Sequence, residues 1–360
     1  MELALGIRIL ATGLAFGLVV FVHELGHFLA ARLAGMAVHE FSIGFGRPLL
    51  FWFRRRDTQY SFRLWPFFSY VRVAGMEPED DHPQGFYKKS RPAQASVLVI
   101  GSVMNFLLAV AIFIVMGAAI GMPVSVNTME RVFEDSPAAR AGLMPGDRIV
   151  GVAGRVNLSV PQIREAIQAS PEKPMVLEIE RAGARRSITV TPRLEEGWEI
   201  KGIKLKKIRF GLIGVQFGYR MEPMGWGQSV IHGFVGTYEM IVGQMALLIG
   251  VLGKTVPAEF VGPVGIANVM YKEAKESWWQ FLNLFAILTA AVGFINLLPI
   301  PPLDGSRLVI VGIEGIRRRP FDKRKELVVH LVGFLLFLFL AVVIAYKDVL
   351  RILSGSTPMK

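Results

Sequence analysis

From Ala95 to Met122 the chain runs through 28 residues without one charged side chain or histidine. A helix that crosses a bilayer needs about 20 largely apolar residues, and lipid satisfies none of the backbone N–H and C=O groups. This stretch therefore commits the chain to a membrane-spanning helix, and it is not alone. Leu3–Leu33 is broken only by Arg8, His23, Glu24, His27 and Arg32, and Val328–Tyr346 is apolar apart from His330. Trp278–Leu298 is apolar with two tryptophans at one end, where interfacial aromatics belong. A fifth block, Ser229–Leu252, is interrupted by His232, Glu239, Gln244 and several glycines. Hydrophobic residues make up 52% and charged residues 19%, which excludes a purely soluble globule and a disordered chain alike. There is no cysteine, so any metal site must be built from His, Asp or Glu.

Two short loops orient the spans. Between the first two lie Arg47, Arg54–Arg56, Arg63, Arg72, Lys88, Lys89 and Arg91. After the Trp278 span lie Arg307, Arg317–Arg319 and Lys323–Lys325. Positive charge in short loops marks the cytoplasmic side, which explains the formal net charge of +11 without nucleic acid as a partner. The first block is read as a span and not a signal peptide, because its start is not basic and its chemistry sits at its far end. Four spans put both basic loops inside. Ser229–Leu252 then lies along the outer surface as an amphipathic interfacial helix, with small or polar residues at steps of three and four.

The polar region Val124–Gly225 is long enough to be a domain. Strand-like runs (Val124–Val132, Asp147–Val152, Met175–Arg181, Arg186–Pro192) flank a helix candidate at Pro161–Ala169. Ser136-Pro137 opens a short helix that Gly142 closes, and Pro145-Gly146-Asp147 turns the chain into the next strand. This stretch resembles the signature of a PDZ domain of the bacterial, protease-associated kind over about Asn127–Leu194.

His23-Glu24-Leu25-Gly26-His27 is an H-E-x-x-H motif. On a helix its two imidazoles share a face and can bind one Zn²⁺, with Glu24 beside them. Three ionisable groups within five residues of a spanning helix are a functional signal, since such groups are costly in lipid. The alternative is a polar helix end reaching for the headgroups. Catalytic zinc usually takes three protein ligands and a water, and no third histidine follows at metzincin spacing. Asn296-Leu297-Leu298-Pro299-Ile300-Pro301-Pro302-Leu303-Asp304-Gly305 breaks the Trp278 span at its end, and Asp304 is the candidate third ligand. Read alone, Asp304-Gly305 is only a turn.

Together these motifs resemble the site-2 protease family of intramembrane zinc metalloproteases. The nearest type is the bacterial RIP metalloprotease with an inserted PDZ domain (the RseP- and RasP-like group). Gly44-Phe45-Gly46 with Pro48 and Leu49, Gly101–Phe106, and Gly262-Pro263-Val264-Gly265-Ile266 extend the resemblance along the chain. Two departures are Gly101-Ser102-Val103-Met104-Asn105 for a usual A-G-P-x-x-N, and Leu303-Asp304-Gly305-Ser306 for L-D-G-G. Only one PDZ module is found where many members carry two. The resemblance implies that His23, His27 and Asp304 bind zinc and that Glu24 is catalytic. It also implies cleavage of single-pass membrane proteins, of the anti-sigma-factor or signal-peptide-remnant kind, within their transmembrane segments. Val38–Val73 alternates apolar and polar residues and is expected to form a membrane-associated β-hairpin loop that pairs with substrate by edge addition. A membrane-surface loop is its plain alternative. Asn105 and Asn296 are candidates to contact substrate or a developing oxyanion, or else to bond helix to helix.

The expected protein is thus a polytopic α-helical membrane protein with four transmembrane helices, in the cytoplasmic (inner) membrane. Residues 1–122 and 278–360 form the two halves of the core, with the site near the cytoplasmic side. Residues 123–195 form an extracytoplasmic PDZ domain, and 196–277 a linker carrying the interfacial helix 229–252. Competing classes are a catalytically inactive PDZ scaffold that binds peptide termini, a metal transporter and a soluble zincin. The first has no need of Glu24. The second would place ligands midway along several helices, and the third would use a polar chain.

Overall fold

The computed structural model describes residues 2–256 and 261–354. The first half of the chain runs α1 (Glu2–Leu33), β1 (Val38–Arg55), β2 (Thr58–Val73), α2 (Arg91–Val115), β3 (Met122–Val132), α3 (Pro137–Arg140), β4 (Arg148–Val152), β5 (Arg155–Val156) and α4 (Val160–Gln168). There follow β6 (Met175–Arg181), β7 (Ala184–Val190), β8 (Arg193–Lys201), β9 (Lys204–Leu212), β10 (Val215–Glu222), α5 (Trp226–Leu252), α6 (Pro263–Glu276), α7 (Trp278–Asn296), α8 (Asp304–Arg317) and α9 (Lys323–Leu353). The chain divides into two compact units. One holds Met1–Ile114, Val230–Gln244 and Pro257–Lys360; the other holds Val115–Ser229 and Met245–Val256.

The first unit is helical apart from β1 and β2. By length and composition, five helices of the chain are apolar enough to cross a membrane: α1, α2 with its π-helical extension to Ile120, α5, α7 and α9. The four expected spans coincide with α1, α2, α7 and α9, and the interrupted block coincides with α5. Two elements between the spans come from local signals. Pro263 at the first turn starts α6 with its fixed φ and absent N–H. The buried Asp348 of α9 caps α6 from outside, accepting the Gly265 N–H at 2.8 Å where the helix dipole favours an anion.

The segment β1–β2 is more than a simple hairpin. Phe51 to Arg55 pair with Phe62 to Thr58 across the turn. Glu40 to Ile43, however, lie opposite both Gln59 to Phe62 and Arg72 to Ser69. Each strand therefore bends, and residues 69–73 become one outer edge of a small curled sheet. A buried polar cluster fixes the bend: Arg63 donates to Glu40 Oε1 at 2.5 Å, to Ser42 Oγ at 2.9 Å and to the Gly46 carbonyl at 2.6 Å. The side chains of Phe45, Pro48 and Leu49 lie outside the described residues. The sheet's inner end joins the core of the unit, where Val38, Val73 and Phe86 pack on Ala31, Val97 and Leu98.

In the second unit a sheet of order β10-β3-β4-β6-β7, with β5 on β4, is covered by α4. Ile149, Leu177 and Ile179 from the sheet meet Val160, Ile163 and Ile167, which recur at helix period on α4. Ser136 caps α3 through Ala139 N at 3.1 Å, and Asp147 joins the strand after it to Arg181. The boundary expected at residue 195 falls inside this unit. Ile213, Val215 and Phe217 belong to the same core, and β10 pairs with β3 across some ninety residues of sequence. Between them β8 and β9 leave the sheet as a separate two-stranded hairpin.

Candidate metal centre

His23 and His27 occupy successive turns of one face of α1, and both are buried. That face meets α2 at very short range. A Cβ at Gly26 would stand 3.0 Å from Gly101 Cα, and a Cβ at Gly101 would stand 2.5 Å from His27 Nε2. The two glycines therefore let α2 lie directly against the imidazoles, and even alanine at 101 would displace them. The approach also supplies a partner. His27 Nδ1 lies 2.7 Å from the Val97 carbonyl, so Nδ1 donates and the Nε2 lone pair turns away from α2.

Asp304 comes from the far end of the sequence. The proline-rich stretch after α7 ends at Leu303, and Asp304 opens α8 in the first turn, where a carboxylate suits the helix dipole. Gly305 packs so close to the Leu297 and Leu298 carbonyls that any side chain there would collide with them. The turn thus delivers Asp304 Oδ2 to within 3.1 Å of both His23 Nε2 and His27 Nε2, which are themselves 3.0 Å apart. Among the described residues this is the one group of His, Asp and Glu whose donor atoms converge in this way.

The donor set fits zinc. A tetrahedral ion with ligands at about 2.0–2.2 Å sets its donors roughly 3.3–3.6 Å apart, a few tenths of an ångström beyond the spacing here, and three protein donors leave a fourth position open. Two imidazoles and a carboxylate facing one another at this range also need positive charge between them. Glu24, on the same helix, is turned towards the β-segment: its Oε2 accepts the Val71 N–H at 2.9 Å. Sequence reasoning missed this contact, because a backbone amide leaves no residue signature. It also missed the roles of Gly101 and the Val97 carbonyl, although a glycine inside a charge-free span was a usable signal.

The two asparagines are placed differently. Asn105 is fully buried on α2 against Gly293 of α7, and neither its Oδ1 nor its Nδ2 has a partner among the described residues. Asn296 is half-buried at the last turn of α7. Neither is hydrogen-bonded to His23, His27 or Asp304 among the described residues.

Two buried histidines and a half-buried aspartate, with a carboxylate on the same helix, give helices of a membrane protein the donor set of a candidate metal centre. Comparison with known proteins gives the chain its family. Residues 11–340 match the peptidase family M50. The chain is 30% identical to the zinc metalloprotease RasP of Geobacillus kaustophilus, over 93% of its own length and 96% of that protein. It is 29% identical to the zinc metalloprotease RasP of Oceanobacillus iheyensis, over 94% of its length and 98% of the relative. The chain belongs to peptidase family M50, the zinc-dependent site-2 proteases.

Proposed function

We propose that this metalloprotease cuts the transmembrane segments of single-pass membrane proteins, with His23, His27 and Asp304 as zinc ligands and Glu24 as the catalytic base. The observation that carries the reading is the hydrogen bond from Val71 N to Glu24. A peptide bond inside a spanning helix is closed to attack until the helix is drawn out, and an extended chain in lipid then needs a backbone partner. Residues 69–73 pair with Glu40–Ile43 on one side and, among the described residues, with no strand on the other, so this outer edge beside Glu24 is suited to receive such a chain by edge addition. When bound, zinc supplies Lewis acidity to the attacking water and the scissile carbonyl. Glu24 is held through Oε2, leaving Oε1 to take the water proton and return it to the leaving amide nitrogen. Asn105 offers an unspent amide for substrate carbonyl or developing oxyanion, and Asn296 is a second candidate donor. A peptide-binding scaffold would have no use for this arrangement.

We read the sheet module of the second unit as a PDZ domain that docks or sizes substrates outside the membrane. A cleft of about 200 Å³ between α4 and the start of β10, lined by Arg164, Ile167, Gly214 and Phe217, would hold the side chains of a chain end. The protein crosses the cytoplasmic (inner) membrane four times in this reading, with α5 on the outer surface. Parity of the two basic loops supports it.

The test is reconstitution of the full chain in vesicles with a single-pass substrate whose span carries a helix-breaking pair. Mass spectrometry should place the cut inside the span for the natural enzyme and find none for Glu24→Gln. Cleavage confined to the flanking polar segments, or persisting in the variant, would overturn the reading.

A further inference from the structure

The β8–β9 hairpin is an excursion from its unit that the proteolytic reading does not use. Two strands alone are marginal in water, and among the described residues no third strand joins either edge. Its far end is amphipathic in a definite way. Ile200 pairs with Leu205 and Trp198 with Lys207, and residues 198 and 200 share a face by strand period. Trp198, Ile200 and Ile203 remain 39%, 45% and 48% exposed. Between Trp198 and Lys207 stand four lysines against one glutamate. Lys207 pairs with Glu196 and Lys201 with Glu199 at 3.5 Å, whereas Lys204 and Lys206 meet no carboxylate among the described residues.

The tip also has a fixed neighbour. Leu205 packs against Gly250 so closely that a Cβ at 250 would overlap a Leu205 methyl carbon. Gly250 lies in the last turn of α5, whose Leu247, Ile249 and Leu252 are themselves exposed and apolar. The hairpin is therefore joined at its tip to a segment that belongs in or on lipid. Tryptophan and isoleucine flanked by lysines whose stems can lie along apolar surface is the composition of an interfacial anchor.

We propose that the β8–β9 tip seats in the surface of a bilayer containing anionic phospholipid. Trp198, Ile200 and Ile203 enter the headgroup boundary, and the surrounding lysines contact lipid phosphates. The tip then tethers the sheet module at a fixed height. It does so whichever side of the membrane the module occupies and whatever the enzyme cuts.

Because the chain has no cysteine, a single nitroxide can be attached at Ile203→Cys in the full-length protein, with Arg186→Cys on β7 as an exposed reference. Both are reconstituted in vesicles of phosphatidylcholine and phosphatidylglycerol in a two-to-one mixture. The label at 203 should collide with oxygen several-fold more than with an aqueous nickel complex, and the label at 186 should show the reverse. Adding Lys204→Glu and Lys206→Glu, or using phosphatidylcholine alone, should reduce the protection at 203. If the nickel complex reaches 203 as freely as 186, the proposal fails. It fails equally if 203 becomes protected only when a substrate protein is added, which would make the tip a peptide-binding surface.

Discussion

Asn105 is buried with both ends of its amide unpartnered, a state that costs roughly 1–3 kcal/mol for each unsatisfied group. Among the described residues nothing in the packing of α2 on α7 compensates for it, so a substrate role and a structural role separate cleanly. Asn105→Leu should raise the melting temperature and lower kcat/KM by about tenfold or more if the amide serves the reaction. A stabilised variant with unchanged kcat/KM would reduce Asn105 to a packing residue. Glu24→Gln should lower turnover by at least about a hundredfold, the share commonly carried by a general base, while bound zinc is retained. At this scale much of the site was legible. His23 and His27 announce themselves by spacing, whereas Asp304, read alone, is only a turn and became a candidate through the need for a third ligand and the family resemblance. Val71 could not be read, since its contribution is a main-chain N–H.

Among the elements, the join between α3 and β4 shows how the sheet module is held. Asp147 is 1% exposed and receives Arg181 Nε at 2.7 Å, Arg181 Nη2 at 2.8 Å and the Met144 N–H at 2.9 Å. The Arg181 guanidinium, with the Met144 amide, holds its carboxyl below the usual carboxylate range despite burial. A carboxyl depressed on folding stabilises at neutral pH, and that stability is lost as pH falls below about 4 and through the folded-state value. Asp147→Asn should therefore destabilise the module by about 2–3 kcal/mol at pH 7, less than a fully buried pair because Arg181 keeps some water. Urea unfolding of the full chain, followed by a probe in the module, should show the gap closing towards pH 3. A gap that is constant with pH would remove the charge from the explanation. In the sheet module α3, α4, β3, β4, β6 and β7 were legible within a few residues, because each carries its own period or cap, whereas the two-residue β5 was not. The return of β10 to β3 was not, because pairing over such a separation is decided by the sheet's open edge and by the pocket that Phe217 fills. The doubling of β1 and β2 was hidden for the same reason: Arg63 gathers groups from both strands that no local pattern links.

At the scale of the whole molecule, topology and site depend on each other. If α5 lies on the outer surface, residues 254 and 275 are on the same side as the sheet module. Cysteines at Lys254, Lys275 and Arg186 should then all react with an impermeant thiol reagent from that side. Reaction of 254 and 275 only from the opposite side would make α5 a fifth span. The candidate metal centre makes a harder demand, since His23 and Asp304 stand 281 residues apart and meet only when α1, α2, α7 and α8 are all in place. Zinc-edge X-ray absorption of the purified full-length protein, beside Asp304→Ala and His23→Ala, tests this directly. The natural protein should hold one zinc with two imidazole nitrogens and carboxylate oxygen at about 2.0–2.2 Å, and His23→Ala should lose an imidazole along with most of the metal. A full complement of zinc in both variants, with the imidazole signal unchanged, would contradict the assignment of the centre.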